Sequence, residues 1–168
     1  MEEITINFNF KAAIMRSIRH YNHEKYWKMR EEVINKKSKL SKIIRLFYFY
    51  RIQKMDAFNN AYMGTRMGGG PCFLTPPVLP HDLNGIVVSY RAKIGKNCTI
   101  YQQVTIGQEN GKAPEIGDNC ILGAGSKIIG GVKIGNNVKV GANAVVVKDV
   151  PDNCTAVGVP ARIIFNEP

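Results

Sequence analysis

One of the three histidines in this 168-residue chain, His81, stands in a setting that could support chemistry. His20 and His23 lie in a Lys- and Arg-rich region, whereas His81 falls within "VLPHDLNGIVV", just before an apolar run. Histidine changes its charge near neutral pH and is the residue that most often transfers protons in catalysis. We therefore treat His81 as a candidate for chemistry, with a solvated or packing histidine as the alternative.

The four cysteines predict neither a zinc site nor a disulfide framework. They are Cys72, Cys98, Cys120 and Cys154, spaced by 26, 22 and 34 residues, with no CxxC pair and no histidine beside them. Zinc-binding and disulfide-rich sequences keep closer, paired spacings. Buried free thiols and no bound metal are the expectation.

The segment after His81 repeats with a period of six residues, and this repeat must hold the histidine in place. An aliphatic residue recurs at every sixth position in two registers, and a small or β-branched residue usually follows it four places later. The aliphatic positions are Val88, Ile94, Ile100, Ile106, Ile116, Leu122, Ile128, Ile134, Val140 and Val146. This period fits neither an α-helix nor a flat alternating strand. It predicts a triangular parallel coil with one inward residue on each face.

A break between the two registers predicts a projecting loop. Ile106 and Ile116 are ten residues apart, so four extra residues fall within "GQENGKAPE". A loop that projects from a regular scaffold often carries function. The recurring "GKN", "GDN" and "GNN" supply turn residues that tolerate positive φ at the bends.

The N-terminal third predicts a basic helical arm. Residues 1–56 contain 13 Lys and Arg against 6 Asp and Glu, and they carry +7 of the net charge of +10. Residues 11–56 contain no Pro or Gly and are predicted to be helical. The predicted apolar face consists of Leu40, Ile43, Ile44, Phe47 and Ile52. We expect the arm to cap the coil and to pack against neighbouring subunits.

Peripheral contact of this arm with an anionic membrane is the alternative, since basic amphipathic helices bind such surfaces. Nucleic-acid binding is not expected, because no recognition motif accompanies the charge. No apolar run reaches the length of a membrane span, and the N-terminus lacks the order of a signal peptide. A cytoplasmic protein is expected.

We divide the chain into three regions. The basic helical arm covers residues 1–56, and an irregular Gly- and Pro-rich connection with the first coil covers residues 57–80. The repeats and a C-terminal tail cover residues 81–168.

Over roughly residues 60–168 the sequence resembles the hexapeptide-repeat acyltransferases, and within them the serine acetyltransferase-like group. The segments that carry the resemblance are "HDLNGIVV", "KIGKNCTIYQQVTIG", "PEIGDNCILGAGSKIIGG" and "AVGVPARII". The resemblance implies a mainly β fold, a left-handed parallel β-helix preceded by the α-helical arm, assembled as a homotrimer. It also implies acetyl-CoA as co-substrate, bound between neighbouring coils, and no metal.

The resemblance also gives roles to particular residues. His81 matches the histidine that acts as general base in direct acetyl transfer to a hydroxyl. The residues that match positions along the coenzyme arm are Gly107, Ala124, Lys139 and Ala142. The candidates for acceptor binding are Arg66, Asp82, Asn84 and Lys112. No Asp or Glu stands between Ala57 and Pro80, where a carboxylate usually orients the histidine, so Asp82, a backbone carbonyl or a neighbouring subunit would have to do so.

Departures from the family pattern concern the acceptor. Serine acetyltransferases have an acidic residue where Pro80 stands and an Arg-His pair where this chain has Lys112 and Ala113, and these groups hold the serine ammonium and carboxylate. Sequences of the form H-x-L-N-G-I resemble enzymes that acetylate sugar hydroxyls. We therefore expect acetyl transfer to a small-molecule or saccharide acceptor, a sugar or polysaccharide precursor. Serine O-acetylation in cysteine biosynthesis and a non-enzymatic β-helix scaffold are the alternatives.

Overall fold

The computed structural model describes residue 18 and residues 20–165, which form two helices and thirteen short strands. The helices are α1 (His23–Ile34) and α2 (Lys42–Phe58). The strands are β1 (Cys72–Phe73), β2 (Val87–Val88), β3 (Lys93–Ile94), β4 (Thr99–Ile100), β5 (Thr105–Gly107), β6 (Glu115–Ile116), β7 (Ile121–Leu122), β8 (Lys127–Ile129), β9 (Lys133–Ile134), β10 (Lys139–Val140), β11 (Val145–Val146), β12 (Cys154–Val157) and β13 (Arg162–Phe165).

The strands form three sheets, which are the faces of a triangular coil. Face 1 contains β2, β5, β8 and β11, face 2 contains β1, β3, β6 and β9, and face 3 contains β4, β7, β10, β12 and β13. The chain visits the three faces in turn and then returns to face 1, where Val88 lies beside Ile106 and Ile106 beside Ile128. The predicted left-handed parallel β-helix is confirmed.

The first turn of the coil comes from the Gly- and Pro-rich segment before His81. Tyr62 forms a bridge to Val87 on face 1, β1 pairs with β3 on face 2, and Val78 forms a bridge to Thr99 on face 3. This segment therefore places residues on all three faces despite its irregular sequence.

Every aliphatic residue of the six-residue repeat points into the coil. All ten are at most 5% exposed, and the smaller residues four places later, such as Cys98, Cys120 and Ser126, are buried as well. Apolar burial therefore occurs on each face of each turn, and stacking of neighbouring turns stabilises the coil.

Three columns of bends join the faces. The His81 corner, between face 3 and face 1, consists of residues 79–86, 101–104, 123–126 and 141–144. The loop corner, between face 1 and face 2, consists of residues 63–71, 89–92, 108–114, 130–132 and 147–149. The asparagine corner, between face 2 and face 3, consists of residues 74–77, 95–98, 117–120, 135–138 and 151–153.

A ladder of side-chain amides holds the asparagine corner. Asn97, Asn119 and Asn137 all have positive φ, and each donates a side-chain hydrogen bond to the Asn one turn further on, at 3.3, 3.3 and 2.9 Å. Asparagine enters the left-handed region more readily than most residues. The prediction that these residues form the bends is confirmed.

The arm consists of two helices, which corrects the prediction of a continuous helix over residues 11–56. Asn35 ends α1 in an extended conformation, and the Ser41 side chain begins α2 by accepting a hydrogen bond from the Ile44 amide. Asn and Ser favour helix ends because their side chains bond to free backbone groups. Residues 11–17 and 19 lie outside the described part of the chain.

Helix α2 leaves most of the predicted apolar face exposed. Ile52 is fully buried, but Ile43, Ile44 and Phe47 are exposed and Leu40 is half-buried. The prediction that these five residues share one apolar face of a helix is therefore wrong, because Leu40 precedes α2 and Ile52 lies on the side opposite to Ile43.

Polar contacts with α1 help to select the buried side of α2. The Arg45 guanidinium donates hydrogen bonds to the carbonyl groups of Glu32 and Val33, at 3.1 and 2.8 Å. These carbonyls belong to the last turn of α1, where a cation interacts favourably with the helix dipole. The half-buried Arg45 therefore faces α1, and Ile43, Ile44 and Phe47 lie on the exposed part of α2.

Helix α1 lies against the first turn of the coil. The buried Arg30 side chain lies between Trp27 and Phe73, with its guanidinium carbon 5.1 and 5.0 Å from the two ring centroids. It also donates a 2.7 Å hydrogen bond to the Pro71 carbonyl. The arm therefore covers this end of the β-helix, whose edge strand would otherwise be open.

The buried carboxylate of Asp56 joins the two helices to the coil. It accepts hydrogen bonds from the Tyr26 hydroxyl at 2.7 Å and from the Met63 amide at 3.3 Å. Burial raises the pKa of Asp56 to about 6, although both hydrogen bonds and the charge of Arg30 act in the opposite direction.

The substitution Asp56→Asn should change how stability depends on pH. The folded-state pKa of about 6 exceeds the ordinary value of 3.8, so the folded protein binds this proton more tightly than the unfolded chain and loses stability as the pH rises between those values. The loss corresponds to about 3 kcal/mol. In urea titrations, the free energy of unfolding of the wild type relative to the variant should fall by that amount from about pH 3 to about pH 7. A constant difference would contradict the burial of a titrating carboxyl.

The far end of the coil is closed by β13, which runs antiparallel to β12 and places Phe165 opposite Cys154. Within the described residues, no helix has the length and apolar character needed to cross a lipid bilayer.

Candidate active site

His81 projects from a turn that is anchored in the coil. Leu83 and Ile86, which follow it, are fully buried. The amide of Gly85 donates a 2.9 Å hydrogen bond to the carbonyl of Asn59, just after α2. The backbone around His81 is therefore fixed both by the core and by the arm.

The His81 side chain is exposed and lies next to Tyr101, one turn further along the His81 corner. The two ring centroids are 6.0 Å apart, with the planes inclined at 46°. Among the described residues, none forms a hydrogen bond with the imidazole. An exposed ring with available nitrogens suits a general base, and the exposure disfavours a packing role.

The arm reaches the same turn, which sequence reasoning missed. The Tyr21 hydroxyl lies 2.9 Å from Nδ1 of His23. Partial burial lowers the pKa of His23, and the negative charge of Asp82 opposes this shift. Asp82 also adds to the increase that burial causes in the pKa of Tyr21. The carboxylate next to His81 is therefore close enough to the start of α1 for their charges to interact.

Three of the four predicted coenzyme contacts lie in or beside the His81 corner. Ala124 and Ala142 occupy equivalent positions one turn apart. The Asn143 amide donates to the Ala124 carbonyl at 2.8 Å, and a Cβ atom on Gly123 would lie 2.7 Å from the Ala142 amide nitrogen. The exposed Lys139 lies on face 3, in strand β10, which leads directly into this corner. Small side chains here leave the backbone accessible to a ligand chain.

Gly107, the fourth predicted coenzyme contact, lies on the other side of face 1. It ends β5 beside Ile129 and accepts a 3.0 Å hydrogen bond from the Gly130 amide. Within one chain it borders the loop corner, and the structure does not bring it next to Ala124 and Ala142.

The predicted acceptor-binding residues divide in the same way. Asp82 and Asn84 lie in the His81 corner, where the Asn84 carbonyl accepts a 2.8 Å hydrogen bond from the Gln103 amide. Arg66 and Lys112 lie in the loop corner. One chain therefore does not assemble all four around His81.

The loop corner carries two stacked cations, Arg66 and Arg91. The sequence analysis named Arg66 and missed Arg91. The guanidinium carbons of Arg66 and Arg91 lie 4.2 and 5.2 Å from the centroid of the Tyr90 ring. Arg91 also donates a 2.9 Å hydrogen bond to the Gly111 carbonyl. The adjacent "YR" at positions 90 and 91 was the available sequence signal. Two guanidinium groups on one ring suit an anionic group of a ligand.

The predicted projecting loop is a tight hairpin. Glu109 and Lys112 exchange two backbone hydrogen bonds of 2.9 Å, and Asn110 and Gly111 between them have positive φ. Such Asn-Gly pairs are the preferred residues of two-residue turns. The extra residues therefore have a defined conformation, held to the coil by Arg91.

No group of three or more His, Cys, Asp or Glu side chains within the described ranges is arranged to hold a metal ion. The cysteines are free thiols. The prediction that they are buried is correct for Cys98, Cys120 and Cys154 and wrong for Cys72, which is exposed on β1.

Comparison with known sequences supports the assignment of a six-residue, hexapeptide-type repeat. Residues 113–148 match the bacterial transferase hexapeptide (six repeats) family. A serine acetyltransferase of Synechococcus elongatus is 45% identical over 106 residues, which are 61% of this chain and 41% of that protein. A serine acetyltransferase of Staphylococcus epidermidis is 49% identical over 87 residues, 49% of this chain and 41% of that protein. The chain thus spans about two fifths of the length of these relatives.

Solved structures give the same result. The serine acetyltransferase of Neisseria gonorrhoeae in complex with serine is 34% identical, with a TM-score of 0.59, over 72% of this chain and 48% of that chain. A serine acetyltransferase in complex with CoA is 27% identical, with a TM-score of 0.65, over 84% of this chain and 55% of that chain. The resemblance to the hexapeptide-repeat, serine acetyltransferase-like acyltransferases is confirmed.

Proposed function

We propose that this protein is an acetyl-CoA-dependent O-acetyltransferase in which His81 is the general base. The observation that carries the proposal is an exposed imidazole, on an anchored turn, in the same corner of the coil as Ala124 and Ala142. Similarity to serine acetyltransferases, one of them solved with CoA, supports the choice of donor.

The proposed transfer is direct. The acceptor hydroxyl oxygen attacks the thioester carbonyl carbon while the His81 imidazole takes the hydroxyl proton. The tetrahedral intermediate then collapses, the carbon–sulfur bond breaks, and the imidazolium returns the proton to the departing CoA sulfur. His81 ends in its starting state, and no acyl-enzyme is formed.

The coenzyme is proposed to lie along the His81 corner. Ala124 and Ala142 leave room for the pantetheine arm against the backbone, and the exposed Lys139 can bind a phosphate. Gly107 would contribute from a different chain, since it lies across face 1 from this corner.

A homotrimer would reunite the divided residues. In a ring of three copies, each copy uses two different surfaces for its two neighbours. If the loop corner of one copy packs beside the His81 corner of the next, Arg66 and Lys112 face His81 across the same cleft. The division of the candidate residues between two corners supports this arrangement.

L-Serine is the first candidate acceptor. The sequence alone favours a sugar hydroxyl, but the relatives described above are serine acetyltransferases, and they support the alternative better. Pro80 and Ala113 stand where those enzymes hold the amino acid. Asp82 offers a partner for the serine ammonium, and the stacked Arg66 and Arg91 at the loop corner of the neighbouring copy offer one for the carboxylate.

The test is acceptor-dependent release of the CoA thiol from acetyl-CoA by the purified full chain. L-Serine is compared with a panel of sugars and nucleotide sugars, and the acetylated product is identified by mass. We expect release with L-serine, and we expect the His81→Ala variant to lower its rate by roughly 10²- to 10⁴-fold. Release with a sugar alone would overturn the serine assignment but keep the transfer chemistry. Absence of both acetyl-CoA binding and release would overturn the enzyme proposal in favour of a scaffold.

A further inference from the structure

The outward side of α2 is apolar along much of its length. Ile43, Phe47 and Tyr50 are 79%, 55% and 60% exposed, and Leu46 and Phe58 are about half exposed. Residues at this spacing lie on one side of a helix. The set Ile43, Leu46, Phe47, Tyr50 and Phe58 is called the α2 face below. Isolated exposed apolar residues are ordinary, but a contiguous apolar stripe marks a contact surface.

The exposed charged side chains of helix α2 are all positive. Helix α2 has a single acidic residue, Asp56, and it is buried. Arg45 is directed to the carbonyls at the end of α1. Lys42 and Arg51 remain exposed beside the apolar stripe, and the exposed Lys54 lies within it, between Tyr50 and Phe58. A partner that suits this surface must therefore be anionic at its surface and apolar beneath it.

A second copy of this helix does not meet that requirement. In a two-fold contact between α2 faces, Lys42, Arg51 and Lys54 of both copies would approach one another with no exposed acid on either helix to offset the repulsion. The corners proposed to meet in a trimer belong to the coil, whereas the α2 face belongs to the arm.

We propose that the α2 face binds the surface of an anionic lipid bilayer. From Ile43 to Phe58 the helix is about 22 Å long, enough to lie flat at the interface with several side chains in contact at once. The apolar stripe would enter the boundary between headgroups and acyl chains. Lys42, Arg51 and Lys54 would remain level with the anionic headgroups, because long cationic side chains can extend along an apolar surface.

The proposal is independent of acetyl transfer and is tested by sedimentation of the full chain with vesicles. Vesicles of phosphatidylcholine alone are compared with vesicles that also contain phosphatidylserine. We expect at least about ten-fold stronger binding to the anionic vesicles, because each cation near such a surface adds to the attraction. Binding should weaken as salt is raised.

Two double variants and a matched control identify the surface. I43E/F47E removes part of the apolar stripe and K42E/K54E reverses two of its cations, and each should lower vesicle binding by at least about ten-fold. The control K96E/K148E makes the same charge change at exposed lysines of the coil and should bind like the wild type. Circular dichroism confirms that each variant is folded.

Three results would overturn the proposal. The first is no binding of the wild type to anionic vesicles. The second is equal loss of binding in K96E/K148E and K42E/K54E, which would reflect net charge alone. The third is a change in subunit number of I43E/F47E, measured by light scattering, without a change in vesicle binding. That result would make the α2 face a contact between subunits.

Discussion

Replacement of His81 by alanine is expected to lower kcat by roughly 10²- to 10⁴-fold, the usual contribution of a general base. The hydroxyl would then have to lose its proton to water. The exposed ring makes no hydrogen bond within the described residues, so its removal should leave the fold and the subunit number unchanged. The measurement is acceptor-dependent thiol release at saturating acetyl-CoA, with light scattering and circular dichroism on the same samples.

His20→Ala is the matched control, because it removes another exposed imidazole from the chain. His20 contacts the Phe58 ring at 4.1 Å and is not among the proposed catalytic residues. It should retain the wild-type kcat, and added imidazole should partly restore activity to His81→Ala alone. Wild-type turnover in a folded His81→Ala variant would show that another group removes the proton.

Truncation of one core residue should have the largest effect on stability. Ile128 is fully buried in β8, between neighbouring strands of face 1. Ile128→Ala leaves a cavity that the stacked turns above and below cannot readily fill. We expect the free energy of unfolding to fall by about 2–5 kcal/mol. Urea titrations at one fixed protein concentration measure this, since assembly makes stability depend on concentration.

Lys127→Ala provides the control on the same strand. Lys127 is adjacent to Ile128, but successive side chains of a strand point to opposite sides, and Lys127 is exposed. Its replacement should change the free energy of unfolding by about 0.5 kcal/mol or less. Similar losses for both variants would mean that the repeat does not bury one side of β8 as described.

The β-helix could be predicted because its determinants recur locally in every turn. Each turn repeats the aliphatic residue at the inward position and Asn or Gly at the bend, so an error at one position is corrected by the others. The six-residue register also determines how the candidate site residues are divided between the two corners. Arg66 and Lys112 fall between face 1 and face 2, whereas Asp82 falls between face 3 and face 1.

The arm could not be predicted in the same way, because its packing depends on contacts that are distant in sequence. An apolar stripe usually marks the buried side of a helix. In α2, Arg45 contacts α1, and Asp56 contacts Tyr26 and Met63. These polar contacts place the side of α2 that carries Arg45 and Asp56 against the rest of the protein. The approach of Tyr21 and His23 to Asp82 likewise joins residues about sixty positions apart, and no local pattern encodes it.

The stacking of turns restricts how the length of this chain can change during evolution. Leu122 lies beside Val140, a separation of 18 residues, so duplication of a complete turn would leave both neighbouring turns in register. Any other insertion must bulge from a bend, as the hairpin between Glu109 and Lys112 does. Evolution can therefore lengthen the coil without changing the loop corner, or change the loop corner without lengthening the coil. In either case the stacked residues of the His81 corner keep their arrangement.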